Sequence, residues 1–201
     1  MAAWRHRSEA PVKNICVFCG SNTGRGAAYL EAARMLAQAI AARGLQLVYG
    51  GGSIGLMGAL AEAALEAGAC VIGVTPRRLL EREVVHRGLT ELHVVETMLE
   101  RKALMAQLSD GFVALPGGLG TLDELFEMLT WTQLGFHRKP CALLDVEGYW
   151  ARLAAFLDHA VAERFLKPEH RAMLLLESDP HRLLDRLGSV PLPQASKWMD
   201  R

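Results

Sequence analysis

Short apolar runs rich in β-branched residues alternate with longer segments of helical period along almost the whole chain, and this alternation restricts the fold more than any other feature. The runs are NICVFCG, LQLVYGG, ACVIGVTP, ELHVVET, GFVALPGG, PCALLDV and LLLES. Between them lie AAYLEAARMLAQAIAARG, IGLMGALAEAALEAG, MLERKALMAQLSD, TLDELFEMLTWTQLG and GYWARLAAFLDHAVAERF, with DPHRLLDRLG near the end. Parallel strands need a long crossover, which a helix supplies, so the pattern predicts an α/β fold: a Rossmann-like, doubly wound parallel sheet with helices on both faces. A chain of 201 residues, 51% of them hydrophobic, can bury one substantial core and is short for two. One domain over residues 13–188 is expected, between a disordered N-terminal tail at 1–12 and a flexible C-terminal tail at 189–201. Cys16 and Cys19 form a C-x-x-C, but residues three apart in a strand face opposite sides, so each reads as a small buried hydrophobe.

In open sheets of this kind ligands bind beyond the carboxyl ends of the strands. Three strand-to-helix loops are rich in glycine there: CGSNTGRG (19–26), YGGGSIGLMG (49–58) and LPGGLGTLDE (115–124). One such loop is an ordinary tight turn, whereas three at one sheet edge point to a crevice for a phosphate or a nucleotide. Charge adds a condition. Lys plus Arg (22) equals Asp plus Glu (22), so no global basic field attracts nucleic acid or an anionic membrane, and any anion site must be local. No apolar run approaches the roughly 18 residues that span a bilayer, and MAAWRHRSEAPVKN is too polar for the apolar stretch of a signal peptide. A cytoplasmic protein with neither nucleic acid nor membrane as partner is expected.

Gly50, Gly52 and Gly55 satisfy G-x-G-x-x-G, yet the motif follows the second strand, and about 20 residues on, where an acid should meet the ribose, the chain reads VTPRR. Arg77 and Arg78 would suit a phosphorylated ribose, which leaves NADP binding as an alternative. No Walker A loop is present, and no G-x-S-x-G nucleophile elbow. Ser21 and Ser53 lack an adjacent base, and Lys102 and Lys139 give no sign of pyridoxal chemistry. The seven histidines lack ligand spacing and the acids lack an EF-hand pattern, so neither a metal nor a cofactor is expected.

Arg101 and Lys102 follow Thr97 and Glu100, which have capping-box spacing, so the cations fall early in a helix, where the dipole disfavours them. A solvated surface pair is the bland reading. A neighbouring anion site would change it, since Arg101 offers a bidentate fork. Thr121-x-x-Glu124 is likewise a capping box, and both residues would then serve only to start a helix. That reading leaves unexplained why a glycine-lined approach ends at a carboxylate. A phosphorylated sugar reconciles the two: cations and loop take the phosphate, and the acid faces the anomeric carbon, which becomes positive as a glycosidic bond breaks.

Pro116-Gly117-Gly118-Leu119-Gly120-Thr121-Leu122-Asp123-Glu124 matches PGGxGTxxE, and with the upstream Met98-x-x-Arg101-Lys102 it resembles the LONELY GUY family, the cytokinin riboside 5′-monophosphate phosphoribohydrolases. Many bacterial members have carried the label "lysine decarboxylase". The likeness runs from VFCGSNTG through VYGGGSIGLMG, VIGVTP and MLERKALM to WTQLGFHRKPCALLDVEGYW. It implies an enzyme of the AMP nucleosidase type, cleaving the N-glycosidic bond of a purine nucleoside 5′-monophosphate, AMP or an N6-substituted cytokinin nucleotide, to free base and ribose 5-phosphate. It implies Arg101 and Glu124 as catalytic residues. The substrate-binding positions it implies are Glu83, Arg101, Lys102, Gly117, Gly118, Leu119, Gly120, Thr121, Leu122, Asp123 and Glu124, with Ser21 a contact from the first loop. Glu83, inside LLEREVVHR, reads by itself as part of a solvated segment. A homodimer is implied too, and it agrees with Leu125, Phe126, Met128, Leu129, Trp131, Leu134 and Phe136 spreading around most of one helix. The alternative on the same fold is a carrier of a nucleotide or of molybdenum cofactor.

Overall fold

The computed structural model describes residues 12–80, 85–189 and 192. Among them seven strands form one parallel sheet: β1 (Asn14–Phe18), β2 (Gln46–Tyr49), β3 (Val71–Pro76), β4 (Glu91–Val95), β5 (Gly111–Ala114), β6 (Cys141–Leu144) and β7 (Leu174–Glu177). Each of the seven expected runs supplies one strand. The helices are α1 (Ala27–Ala42), α2 (Gly55–Glu66), α3 (Arg77–Leu80), α4 (Met98–Leu108), α5 (Leu119–Gln133), α6 (Ala151–Ala162), α7 (Pro168–Arg171) and α8 (Pro180–Ser189). The four-residue α3 and α7 were not foreseen, being too short to show a period. Most of both expected tails, and Glu83, lie outside the described residues.

Side chains alternate along the strands between two cores. Ile15, Val17, Leu47, Tyr49, Val113 and Leu115 face α1, α2 and α8, packing on Leu36, Ile40, Leu60 and Leu183. Cys16, Phe18, Val48, Phe112 and Ala114 face α4 and α5, packing on Met105, Leu125 and Met128. Cys16 and Cys19 fall in opposite cores as buried free thiols, as the strand reading required.

Sheet order is β4-β3-β2-β1-β5-β6-β7, so the winding reverses between β1 and β5. The loops leaving those two strands therefore diverge and open a crevice. The same order sends α4 on a long return from the β4 edge to β5 at the centre. It passes over β3, β2 and β1, carrying its first turns beneath the crevice. Thr97 starts α4 by accepting the Glu100 N–H at 3.1 Å. Glu100 reaches back to the Glu96 N–H at 2.9 Å, one residue beyond the expected box.

α5 corrects a second capping expectation. Gly118, with extended backbone, is its N-cap, and the helix starts at Leu119. Thr121 and Glu124 thus sit inside the helix, and the capping-box reading of this pair fails.

Candidate active site

The three glycine loops meet around a cavity of about 590 Å³. The Gly20 N–H donates to the Pro116 carbonyl at 3.2 Å and the Leu56 N–H to the Gly20 carbonyl at 3.1 Å, which ties the first loop to both others. Several of their glycines are needed for close approach, Gly117 and Gly50 among them. A Cβ on Gly117 would collide with the Thr121 hydroxyl, and one on Gly50 with the Arg101 guanidinium. The first glycine of G-x-G-x-x-G therefore makes room for an arginine of the protein.

Arg101 and Glu124 form the floor. Arg101 is 8% exposed and Glu124 7%, so the surface-pair reading of Arg101 is overturned. Arg101 Nη1 donates to Glu124 Oε1 at 2.6 Å, and Nε donates to the Val74 carbonyl at 3.0 Å. The arginine is thereby held at two points, one on β3 and one on α5. Burial pushes the Glu124 carboxyl above its ordinary value, while the charge and hydrogen bond of Arg101 pull it back, with a net rise. A buried ion pair is a weak stabiliser once desolvation is counted. Its place at the bottom of a cavity fits a chemical role better than a structural one.

Above the floor stands the N-terminus of α5. No side chain among the described residues caps it. Gly118, Leu119, Gly120 and Thr121 all line the cavity, and the first N–H groups of a helix have no intrahelical acceptor. These donors and the positive end of the helix dipole suit a phosphate.

Ser21, Arg101, Gly117, Gly118, Leu119, Gly120, Thr121 and Glu124 are thus brought together around one space. Lys102, Leu122 and Asp123 are not among its lining residues. Lys102 turns away to pair with Asp123 and with Glu127, each at 3.0 Å, strapping α4 to α5. Burial would lower its pKa, but the two carboxylates outweigh that and the pKa rises, so the strap stays charged. Leu122 packs on the core beneath α5. Arg25, Tyr29, Met57, Leu79 and Tyr149 also line the cavity, and sequence reasoning singled out none of them. Their signal was positional: all five lie on loops or helix starts that follow the carboxyl ends of strands.

A family model described as "Possible lysine decarboxylase" matches residues 57–187. A protein from Oryza sativa subsp. japonica, "Probable cytokinin riboside 5′-monophosphate phosphoribohydrolase", is 48% identical over 179 residues, covering 89% of this chain and 85% of that protein. The "Cytokinin riboside 5′-monophosphate phosphoribohydrolase" of Rhodococcoides fascians is 49% identical over 168 residues, covering 83% of this chain and 85% of that one. Among solved structures, the molybdenum cofactor carrier protein of Chlamydomonas reinhardtii superposes with a TM-score of 0.67 at 22% identity, covering 88% of this chain and 96% of that one. At that identity the match speaks for the fold alone.

Proposed function

Since the chain belongs to the LONELY GUY family of cytokinin riboside 5′-monophosphate phosphoribohydrolases, we propose that it hydrolyses the N-glycosidic bond of a purine nucleoside 5′-monophosphate, with or without an N6 substituent, releasing free base and ribose 5-phosphate. The observation that carries this reading is the buried Glu124–Arg101 pair on the floor of a cavity walled by an uncapped helix N-terminus. The 5′-phosphate sits on the free N–H groups of Gly118 to Thr121, which places the ribose over the floor. The Glu124 carboxylate supports the positive charge that develops at the anomeric carbon and positions the attacking water. Arg101, held by Val74 and Glu124, opposes the effect of burial on that carboxyl and keeps it aimed. Ser21 and Glu83 complete the substrate contacts, and Lys102 with Asp123 supports the site from behind.

The working form we propose is a homodimer formed through the end of α5 and the turn that follows it, where Phe126 and Leu134 are half-buried and Phe136 is exposed. Sedimentation equilibrium should give the mass of two chains, and a single-chain mass at micromolar concentration contradicts it. The activity is tested by incubating purified protein with AMP and with N6-prenylated AMP and assaying free base. Release of base from either supports the hydrolase. Binding without release favours a carrier, and selective binding of NADP favours a dinucleotide site.

A further inference from the structure

Among the cavity residues that neither the motif nor the mechanism accounts for, Tyr149 makes the most specific contact. Its hydroxyl donates to the Gly117 carbonyl at 2.7 Å, across a sequence separation of 32 residues. A tyrosine carries one hydroxyl proton, and here it points at the loop. An anion in the cavity would meet the oxygen's lone pairs, so Tyr149 is no phosphate ligand itself. Its effect on the site passes through Gly117.

The peptide linking Gly117 to Gly118 is planar and trans, so the Gly117 carbonyl and the Gly118 N–H point in opposite directions. Fixing the first fixes the second. Gly118 is the N-cap of α5, and its N–H opens the series of free donors that continues through Leu119 and Gly120. Glycine on both sides of this peptide leaves it free to rotate, since a backbone without Cβ has the widest choice of φ and ψ. The hydroxyl of Tyr149 removes that freedom.

Tyr149 is itself firmly mounted. It lies in the turn between β6 and α6, where Glu147 and Gly148 both take positive φ, 52° and 72°. The Tyr149 N–H donates to the Val146 carbonyl at 3.0 Å, and the next N–H, of Trp150, to Asp145 Oδ1 at 2.9 Å. Trp150 is 2% exposed and anchors the turn in the core, its ring edge-on to Tyr149 at 4.9 Å. On its other side the Tyr149 ring meets Tyr29 edge-on at 6.0 Å, and Tyr29 fills the space where a Cβ on Gly24 would stand. The first and third loops are thus braced from one rigid turn. Tyr149 is 43% exposed, so its ring is not a core element that a hydroxyl happens to decorate.

Resting on the phosphoribohydrolase reading, we propose that Tyr149 is a positioning residue for the phosphate end of the substrate: its hydroxyl holds the Gly117–Gly118 peptide in the orientation that presents the α5 N-terminus to the 5′-phosphate. Tyr149→Phe keeps the ring contacts and removes only this bond. Its dissociation constant for ribose 5-phosphate should rise roughly 3- to 10-fold, the range one net hydrogen bond supports. KM for AMP should rise by the same factor with kcat within about twofold, and adenine binding and the melting temperature should not change. A purely structural role would lower the melting temperature and weaken both ligands together, which would overturn the proposal. So would equal affinity of the two proteins for ribose 5-phosphate, or no binding of it by the wild-type chain. A chain that binds ribose 5-phosphate in a Tyr149-dependent way yet releases no base refutes the hydrolase reading and upholds this one. A chain that cleaves AMP equally well before and after the substitution does the reverse.

Discussion

At the scale of single residues, the site turns on where one guanidinium is allowed to go. Arg101 reaches the floor because Gly50 has no side chain, Val74 offers a carbonyl and Glu124 offers a charge. Nothing local in Arg101-Lys102 announces this, because two adjacent cations in a first helical turn look alike as residues. Arg101 is buried on the cavity floor, and Lys102 turns away from the cavity to brace α4 against α5. Gly50→Ala tests the arrangement with one methyl group. The new Cβ meets the flexible end of Arg101 rather than backbone, so the loop itself need not move. The guanidinium, however, must leave its place beneath Glu124. A drop in kcat on the order of 10- to 100-fold is expected, the loss typical of a catalytic group misplaced by about 1 Å. Steady-state kinetics with AMP checks it, and an unchanged kcat would mean that Arg101 does not orient Glu124 from this position.

At the scale of elements, the glycines and the helical periods were legible and the helix start was not. Strand and helix patterns are local, and all seven strand runs and the six long helices appear where their periods place them. At the start of α5 the sequence reading took Thr121 as the N-cap, because threonine is a strong side-chain cap and Glu124 follows at capping-box spacing. The structure uses Gly118, whose extended backbone lets the loop approach Gly20 and leaves the first N–H groups uncovered. This shift decides what Glu124 does. A glutamate three residues after an N-cap serves the helix, whereas Glu124, a turn further in, has its carboxylate on Arg101. Tyr149 illustrates the opposite limit: a residue on an unremarkable turn joins the site because β6 lies beside β5 in the sheet.

At the scale of the whole molecule, the order of strands explains why the site is where it is. The winding reverses between β1 and β5, and α4 crosses below the reversal on its way to β5, so an arginine from α4 and a glutamate from α5 meet under loops from β1, β2 and β5. The sequence showed the three loops but not α4 beneath them, because a crossover path depends on strand order, which no local pattern encodes. The same fold at a TM-score of 0.67 belongs to a molybdenum cofactor carrier, so architecture alone does not separate chemistry from carriage. In the proposed mechanism Glu124 does the chemistry, and its conservative substitution is the most direct test. Glu124→Gln keeps the shape and an acceptor for Arg101 while removing the charge. Assayed on the same protein, AMP should bind within about threefold of wild type, while release of free base falls by roughly 10²- to 10⁴-fold, the usual worth of a positioned general base. Turnover at the wild-type rate, or parallel loss of binding and turnover, would contradict the assignment of Glu124 to the bond being broken.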